Sequence, residues 1–246
     1  MGDTMKSTDC TKQILMECRN GIYANENRLP PETEIAKEMG VSRTAIRDSL
    51  AKLEEEGYIS RKHGIGTIIN HHVVDISVRM NMYCELSEII RRSNMTPRLE
   101  YVKYDSVLAG PEIAGKMKIK KDDVMIRIER LFSANRKPAI YCEDYVRKSM
   151  IRLPYEDKKD LKEPVFVFLK KYADTEMFMN ITEVSATSVN SEQSKAFRIP
   201  KGKAVLKYIE VGYDFAGNPV LFAKEFFLTD KIKHIMFKKK SLSEIR

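Results

Sequence analysis

The stretch that decides the fold is residues 29–70, LPPETEIAKEMGVSRTAIRDSLAKLEEEGYISRKHGIGTIIN. Its first part predicts a helix over residues 32–39, which follows two prolines and carries glutamates in its first turn. Gly40 can adopt the left-handed conformation that ends a helix. Ser42 can then cap a second helix, predicted over residues 43–56. Two helices so close together in the chain predict a helix–turn–helix unit.

The second predicted helix has one buried stripe and one exposed basic side. Ile46, Leu50 and Leu53 are spaced i, i+4 and i+7, which places them on one face. Polar residues of the first turns lie outside that stripe and can face outward together. The N-terminal residues of a recognition helix meet base edges in the major groove, and arginine offers a bidentate fork to guanine or phosphate. We therefore predict DNA contacts from Ser42, Arg43, Thr44 and Arg47.

Residues that favour strands follow the second helix in two short runs around a basic tip. Gly57 ends the helix, and residues 58–59 and 65–69 are apolar or β-branched. A basic tip that contains glycine suits contact with phosphates or the minor groove. We predict such contacts from Arg61, Lys62, His63 and Gly64. Helix, turn, helix and hairpin in this order are the winged form of the DNA-binding helix-turn-helix, whereas a small helical core with solvated charges would not require the whole series.

This segment resembles the winged helix-turn-helix of GntR-type bacterial repressors. The likeness begins at Gly-Ile-Tyr in residues 21–23 and continues through Val-Ser-Arg-Thr in residues 41–44 to the wing, Lys-His-Gly-Ile-Gly-Thr. One departure is Thr33, where the family usually has an arginine, so one basic contact of the family is not expected here. We predict a DNA-binding domain over residues 1–72, followed by a linker over residues 73–94.

Net charge does not by itself indicate DNA binding in this chain. The sequence of 246 residues has a formal net charge of +8. Residues 1–75 nevertheless carry 10 Lys and Arg against 12 Asp and Glu, whereas residues 76–246 carry 33 against 23. The DNA-binding prediction therefore depends on where the basic residues stand, and not on their total.

Composition argues against several other classes of protein. No apolar run approaches 18 residues and the N-terminus is polar, so we expect a cytoplasmic protein without a membrane partner. The four cysteines are scattered, with no CxxC pair and no clustered histidines. We predict no metal site, no cofactor and no disulfide. We also find no nucleophile with a paired base and no phosphate loop, and therefore predict no catalytic residue.

The second half of the chain contains an internal repeat. Residues 124–146 align with residues 205–227 without a gap, and this alignment matches Pro138 with Pro219 and Glu129 with Glu210. Each copy reads as a strand, a turn closed by proline and a second strand, with a short helical segment upstream. Two such units predict a pseudo-symmetric antiparallel sheet with helices on one side, an α+β domain.

From about residue 95 the sequence resembles the UTRA effector-binding domain of the HutC branch of GntR regulators. The arginine-bearing first strand and the Gly-Asn-Pro turn at residues 217–219 are its clearest parts. The resemblance implies an α+β chain with an N-terminal winged helix-turn-helix and a C-terminal antiparallel-sheet UTRA domain, similar in fold to chorismate lyase, over residues 95–246. It also implies a homodimer whose affinity for DNA changes when a small molecule binds.

Residues at the family's ligand positions depart from those of members that sense amino-sugar phosphates. Such members carry Arg-Leu-Arg on the first strand, where this chain has Arg130, Leu131 and Phe132. Glu85 falls where the family supplies hydrogen-bond donors to a phosphate, and a carboxylate there would repel one. We expect Arg130 to pair with an anionic group of the effector, and Arg127 to face away from it. The predicted effector contacts are Arg130, Tyr145, Ser87, Phe132, Phe222 and Phe227.

The leading functional prediction is a transcription regulator, and specifically a repressor, that binds double-stranded operator DNA and is controlled by a small-molecule effector. One alternative is a winged-helix module for protein interaction, which would not require basic residues on one side of the recognition helix. Another is an enzyme, prompted by the lyase-like fold, although fold alone is weak evidence of chemistry.

Overall fold

The computed structural model describes residues 7–152 and 160–239 and divides them into two compact units. The first unit comprises residues 7–81 together with residues 235–239, and the second comprises the described residues between 82 and 234. Among the described residues no helix is both long and apolar enough to cross a membrane. The limits of 1–72, 73–94 and 95–246 stay predictions.

The first unit contains the predicted helix–turn–helix and hairpin. Its elements are α1 (Ser7–Asn20), β1 (Arg28–Leu29), α2 (Glu32–Met39), α3 (Arg43–Glu55), β2 (Ile59–Lys62), β3 (Gly66–Ile69) and α4 (His71–Val74). The bounds predicted for α2 are confirmed, and α3 is one residue shorter than predicted. Sequence reasoning missed β1, which pairs antiparallel with β3 and makes a three-stranded sheet.

Two local signals set the turn between α2 and α3. Gly40 is left-handed, with φ of 66°, and ends α2. The Ser42 side chain accepts a hydrogen bond from the backbone N–H of Ala45 at 3.2 Å and thereby caps α3. Ile46 and Leu50 are then buried on the face of α3 that packs against α1. The turn therefore fixes which side of α3 remains exposed.

Residues 235–239 complete the first unit. The backbone N–H of Met80 donates to the carbonyl of Ile235 at 2.9 Å. Arg79 is buried, donates to the Glu56 carbonyl at 2.8 Å, and places its guanidinium 5.0 Å from the Tyr58 ring centre and 4.9 Å from that of Phe237. Stacking on two rings stabilises a buried cation. The end of α3 is thus packed against a distant part of the chain.

The second unit is a six-stranded antiparallel sheet with helices. Its elements are α5 (Leu86–Arg92), β4 (Pro97–Leu108), α6 (Gly110–Met117), β5 (Val124–Ala134), β6 (Lys137–Arg147), α7 (Val165–Tyr172), β7 (Met179–Ser188), α8 (Ser191–Phe197), β8 (Ala204–Tyr213) and β9 (Pro219–Phe227). The strand order is β4-β5-β6-β9-β8-β7. The order strand, helix, hairpin occurs twice, so the predicted pseudo-symmetry is confirmed.

Helices cover both faces of this sheet. On one face, α6 and α8 pack on buried residues such as Met125 and Tyr141. On the other face, Phe168 and Leu169 of α7 pack on strand residues that include Ile126. The expectation of helices on one side is therefore wrong for α7. We call the second surface the α7 face.

Replacing Gly57 by alanine should lower the free energy of unfolding by about 2–3 kcal/mol. Gly57 has a φ of 82°, and a Cβ there would lie 2.5 Å from the Phe237 ring. Gly40→Ala is the matched control, because its φ is also positive but a Cβ would meet nothing within 4 Å. We expect the control to cost about 1 kcal/mol. Urea denaturation measures both, and equal costs would contradict the packing of Phe237 against Gly57.

Candidate DNA-binding and effector-binding sites

The exposed end of α3 carries two arginines that share one carboxylate. Glu32 of α2 lies 3.3 Å from the Nε atom of Arg43 and 3.5 Å from that of Arg47. The two arginine side chains are 60% and 58% exposed. Ser42 and Thr44 are exposed beside them. Glu32 therefore orients two cations on the surface that a recognition helix turns toward DNA, while both remain accessible to phosphate or guanine.

The hairpin is fastened to α3 through Glu54. This carboxylate accepts from Arg61 Nε at 2.7 Å and from the Arg61 backbone N–H at 3.0 Å. Burial acts to raise the pKa of Glu54, but the hydrogen bonds from Arg61 outweigh it and the pKa is lowered. Lys62, His63 and Gly64 are exposed at the tip, and Gly64 has a φ of 77°. Arg61 thus positions the wing, and the tip residues are the accessible ones.

A row of polar side chains crosses the α7 face. Antiparallel partners share a face of the sheet, and the register places Arg130 opposite Cys142, Cys142 opposite Glu225, and Glu225 opposite Tyr208. Asp144 lies two residues beyond Cys142 and therefore projects from the same face. Sequence reasoning predicted the first of these residues and missed the acids.

Arg130 already has a protein partner. Its Nη2 donates to Asp144, its Nη1 donates to the Glu163 carbonyl at 2.7 Å, and both charged side chains are 4% exposed. Its Nε has no hydrogen-bond partner among the described residues. Asp144 thus neutralises the positive charge of Arg130, which we had expected to pair with an anionic group of the effector. Arg127 lies on the opposite face, as predicted, and there it pairs with Asp105.

Two further carboxylates lie on the α7 face. Glu210 accepts from Thr182 Oγ1 at 2.6 Å and from Asn180 Nδ2 at 3.1 Å. Glu225 is 9% exposed, and no residue in the described part of the chain forms a hydrogen bond or ion pair with its carboxylate. Burial, followed by the charges of Glu210 and Asp144, raises the pKa of Glu225 well above its usual range. An unpaired buried acid of this kind is a candidate binding group.

A cleft adjoins these carboxylates. Its volume is about 200 Å³, and it is lined by Tyr83, Phe166, Lys170, Glu176, Met177, Phe178, Met179 and Asn180. The two charged residues of this lining, Lys170 and Glu176, form an ion pair at 3.7 Å. Asn180 donates to Glu210, so one side chain borders both the cleft and the acids. Partial burial, followed by the charges of Glu225, Asp144 and Glu210, raises the pKa of Tyr83, although 52% of this residue is exposed. The Tyr83 and Phe166 rings meet edge to face at 5.8 Å.

The structure separates the six predicted effector residues into two groups. Phe132 and Phe227 project from the α7 face with Arg130, because strand register places them there. Ser87 donates to Glu85, whose charge also acts on Glu225.

The other two residues lie on the opposite face of the sheet. Tyr145 and Phe222 pack at 5.7 Å in the hydrophobic cluster beneath α6. Each lies an odd number of positions along its strand from residues of the α7 face, so its side chain projects from the face opposite to that of Arg130. They belong to the core.

Known protein families match both halves of the chain. The model of the bacterial regulatory proteins of the gntR family matches residues 7–69, and the UTRA domain model matches residues 92–233. The chain belongs to the GntR regulators with a UTRA domain. A GntR winged helix and a UTRA domain in one chain form a DNA-binding transcription regulator controlled by a ligand. The matched domains are those of a transcription regulator.

Relatives of this GntR–UTRA chain extend over most of its length. An HTH-type transcriptional regulator of Rhizobium meliloti (strain 1021) is 25% identical over 221 residues, which is 90% of each chain. The HTH-type transcriptional repressor NagR of Bacillus subtilis (strain 168) is 21% identical, over 92% of this chain and 91% of its own.

Solved structures show the same fold. YydK of Bacillus subtilis subsp. subtilis str. 168 is 18% identical with a TM-score of 0.74, and the match covers 94% of this chain and 99% of YydK. PhnF of Mycobacterium smegmatis is 13% identical with a TM-score of 0.57, and the match covers 87% of this chain and 93% of PhnF.

Asp144→Asn should lower the free energy of unfolding by about 3 kcal/mol, because it leaves Arg130 charged and buried without its carboxylate. The matched control is Asp105→Asn, which removes the exposed partner of Arg127 at 2.8 Å on the other face. Exposed pairs contribute about 1 kcal/mol or less, so we expect the control to change little. Urea denaturation compares the two variants, and similar small losses from both would show that the buried pair is not required.

Proposed function

We propose that this regulator is a cytoplasmic repressor that binds a pseudo-palindromic operator as a homodimer. Ser42, Arg43, Thr44 and Arg47 of the recognition helix would meet the major groove, and the hairpin tip would meet adjacent phosphates or the minor groove. The observation that carries this proposal is the exposed pair Arg43 and Arg47, held together by Glu32. Two-fold symmetry of the protein would then match two half-sites of DNA.

Repression is supported by one named relative. NagR is a transcriptional repressor and aligns with this chain over nearly its full length. We infer that DNA binding is the basal state and that an effector in the C-terminal domain reduces it. A ligand can shift such an equilibrium only if it binds one conformation more tightly than the other.

We propose that the effector occupies the α7 face beside the cleft. Arg130, Phe132 and Phe227 share this face, and Ser87 adjoins it through Glu85. The cleft lining is mostly apolar and also includes the polar residues Lys170, Glu176 and Asn180, and a mostly apolar lining with a few polar groups is usual for a small-molecule site. We do not propose Tyr145 and Phe222 as ligand contacts.

Arg47→Ala should weaken operator binding by about tenfold, because one bidentate contact to a base or phosphate is lost. The matched control is Lys52→Ala, which removes an equal charge from an exposed position near the other end of α3. Fluorescence anisotropy of the full chain on a duplex from upstream of its own gene, at several salt concentrations, measures both. The slope of log affinity against log salt should become shallower by about one unit for Arg47→Ala alone.

A scrambled duplex provides the control for specificity. Preferential binding of the upstream duplex, or of an operator recovered by genome-wide selection, would support the repressor proposal. Equal weak binding of every duplex after such selection would overturn it and would favour a protein-interaction module.

A further inference from the structure

The pseudo-symmetry of the sheet relates Arg130 to Glu210. Register places Arg130 opposite Cys142 in one half and Glu210 opposite Ala223 in the other. Because Cys142 and Ala223 are equivalent positions of the central strands β6 and β9, the residues opposite them are equivalent too. The gapless sequence alignment had matched Glu210 with Glu129, which register places opposite Glu143 on the other face. The hairpins thus differ by one residue in their turns.

The same symmetry relates Asp144 to Glu225, since each lies two residues beyond its central-strand position. In the first half, Arg130 supplies a cation to Asp144. In the second half, the place of Arg130 is taken by an acid, Glu210, whose hydrogen-bond donors Thr182 and Asn180 are neutral. Glu225 is therefore a buried acid whose symmetry mate has a cation, while it has none among the described residues.

This asymmetry predicts the sign of the missing charge. A buried carboxylate is costly unless it is paired with a cation or protonated. An anionic ligand here would face the carboxylates of Asp144, Glu210 and Glu225. The nearby Arg130 is already paired with Asp144, and Lys170 of the cleft lining is paired with Glu176. A cationic ligand would pair with Glu225 in the second half of the sheet, as Arg130 pairs with Asp144 in the first half.

The cleft supplies the rest of the site. Tyr83 and Phe166 present aromatic rings, and Met177 adds an apolar side chain. Aromatic faces attract cations and also pack against apolar groups. Asn180 joins this lining to Glu210. A ligand with a positive end and a short apolar body would therefore contact both parts at once.

We propose that the effector is a primary amine without a phosphate group, whose ammonium lies between Glu210 and Glu225 and whose apolar body lies in the cleft against Tyr83 and Phe166. This inference deepens the proposed function and rests on its premise that the C-terminal domain binds a small molecule.

Proton release accompanies binding of such a ligand. Burial raises the pKa of Glu225 well above its usual range, which favours the protonated carboxyl in the empty site. An ammonium favours the ionised form, so it displaces this proton, and amine affinity rises with pH. An anionic ligand would show the opposite trend. The titratable groups that face Glu225 are Asp144, Glu210, Glu85, Arg130, Cys142, Tyr83 and Tyr208.

Isothermal titration calorimetry of the full chain tests the proposal. The probes are phenethylamine and hexylamine, compared with phenylacetate and phenyl phosphate, at about pH 6 and about pH 8 in two buffers of different ionisation enthalpy. We expect saturable amine binding that is tighter at the higher pH and releases a proton. Preference for either anion, or the absence of saturable binding by both amines at millimolar concentration, would overturn the proposal.

Glu225→Gln provides the decisive variant. It should weaken amine binding by about tenfold or more and abolish its pH dependence. Its thermal midpoint should equal or exceed that of the parent, because an unpaired buried acid is replaced by a neutral amide. The matched control is Glu143→Gln, on the opposite face of β6, which should leave amine binding unchanged. Unchanged amine binding in a folded Glu225→Gln protein would overturn the assignment.

Calorimetry without DNA separates this inference from the proposed function. Amine binding that fails to alter operator affinity would support the site and contradict the proposed regulation. Operator binding that responds to a phosphate ester, with no amine bound, would support the regulation and contradict the amine site.

Discussion

The ion pair of Arg130 and Asp144 constrains the whole α7 face of the second unit. A cation with almost no exposure must have a carboxylate and further acceptors, and here Asp144 and the Glu163 carbonyl supply them. This joins β5 to β6 and to the segment that enters α7. Hydrophobic packing of α7 can close over the sheet because the charge beneath it is neutralised. The other acids of that face, Glu210 and Glu225, differ from Asp144 because neither forms an ion pair among the described residues.

Carboxylates have a comparable role in the first unit. Glu32 joins Arg43 to Arg47, and Glu54 joins the wing to the recognition helix. This explains why a DNA-binding segment contains slightly more acidic than basic residues. The acids fix the positions of a few cations, and so the accessible charge on one surface matters more than the total. Such pairs are individually weak, but they reduce the side-chain freedom that a DNA contact would otherwise have to remove.

Local sequence signals were sufficient for much of the fold. Gly40 and Ser42 determine where α2 ends and α3 begins, and a gapless repeat predicted both hairpins. These signals are readable because they act over a few residues. Long-range placement is different: Asn180 meets Glu210, and Tyr83 meets Phe166, through contacts between distant segments, which no local pattern encodes.

The assignment of side chains to the two faces of the sheet was the part of the site that the sequence alone could not predict. Side chains alternate along a strand, so a displacement of one residue moves a side chain to the opposite face. Irregular register occurs at equivalent positions, between Phe132 and Ser133 in one hairpin and between Gly212 and Tyr213 in the other, so the hairpins differ only by the one extra residue in the second turn. The sequence repeat carried no sign of the resulting difference, and it therefore matched Glu210 with the wrong partner.

The packing of residues 235–239 has a topological consequence. The chain leaves the first unit after Asn81 and re-enters it at Ile235, so the second unit is formally an insertion within the first. The two segments of the first unit are joined by the hydrogen bond from Met80 to Ile235, and Arg79 lies between one ring from each segment, those of Tyr58 and Phe237. A contiguous N-terminal fragment would lack one of these rings. The DNA-binding half is thus built from two separate segments of the polypeptide chain. It becomes complete only after the ribosome has synthesised the ligand-binding half that lies between them.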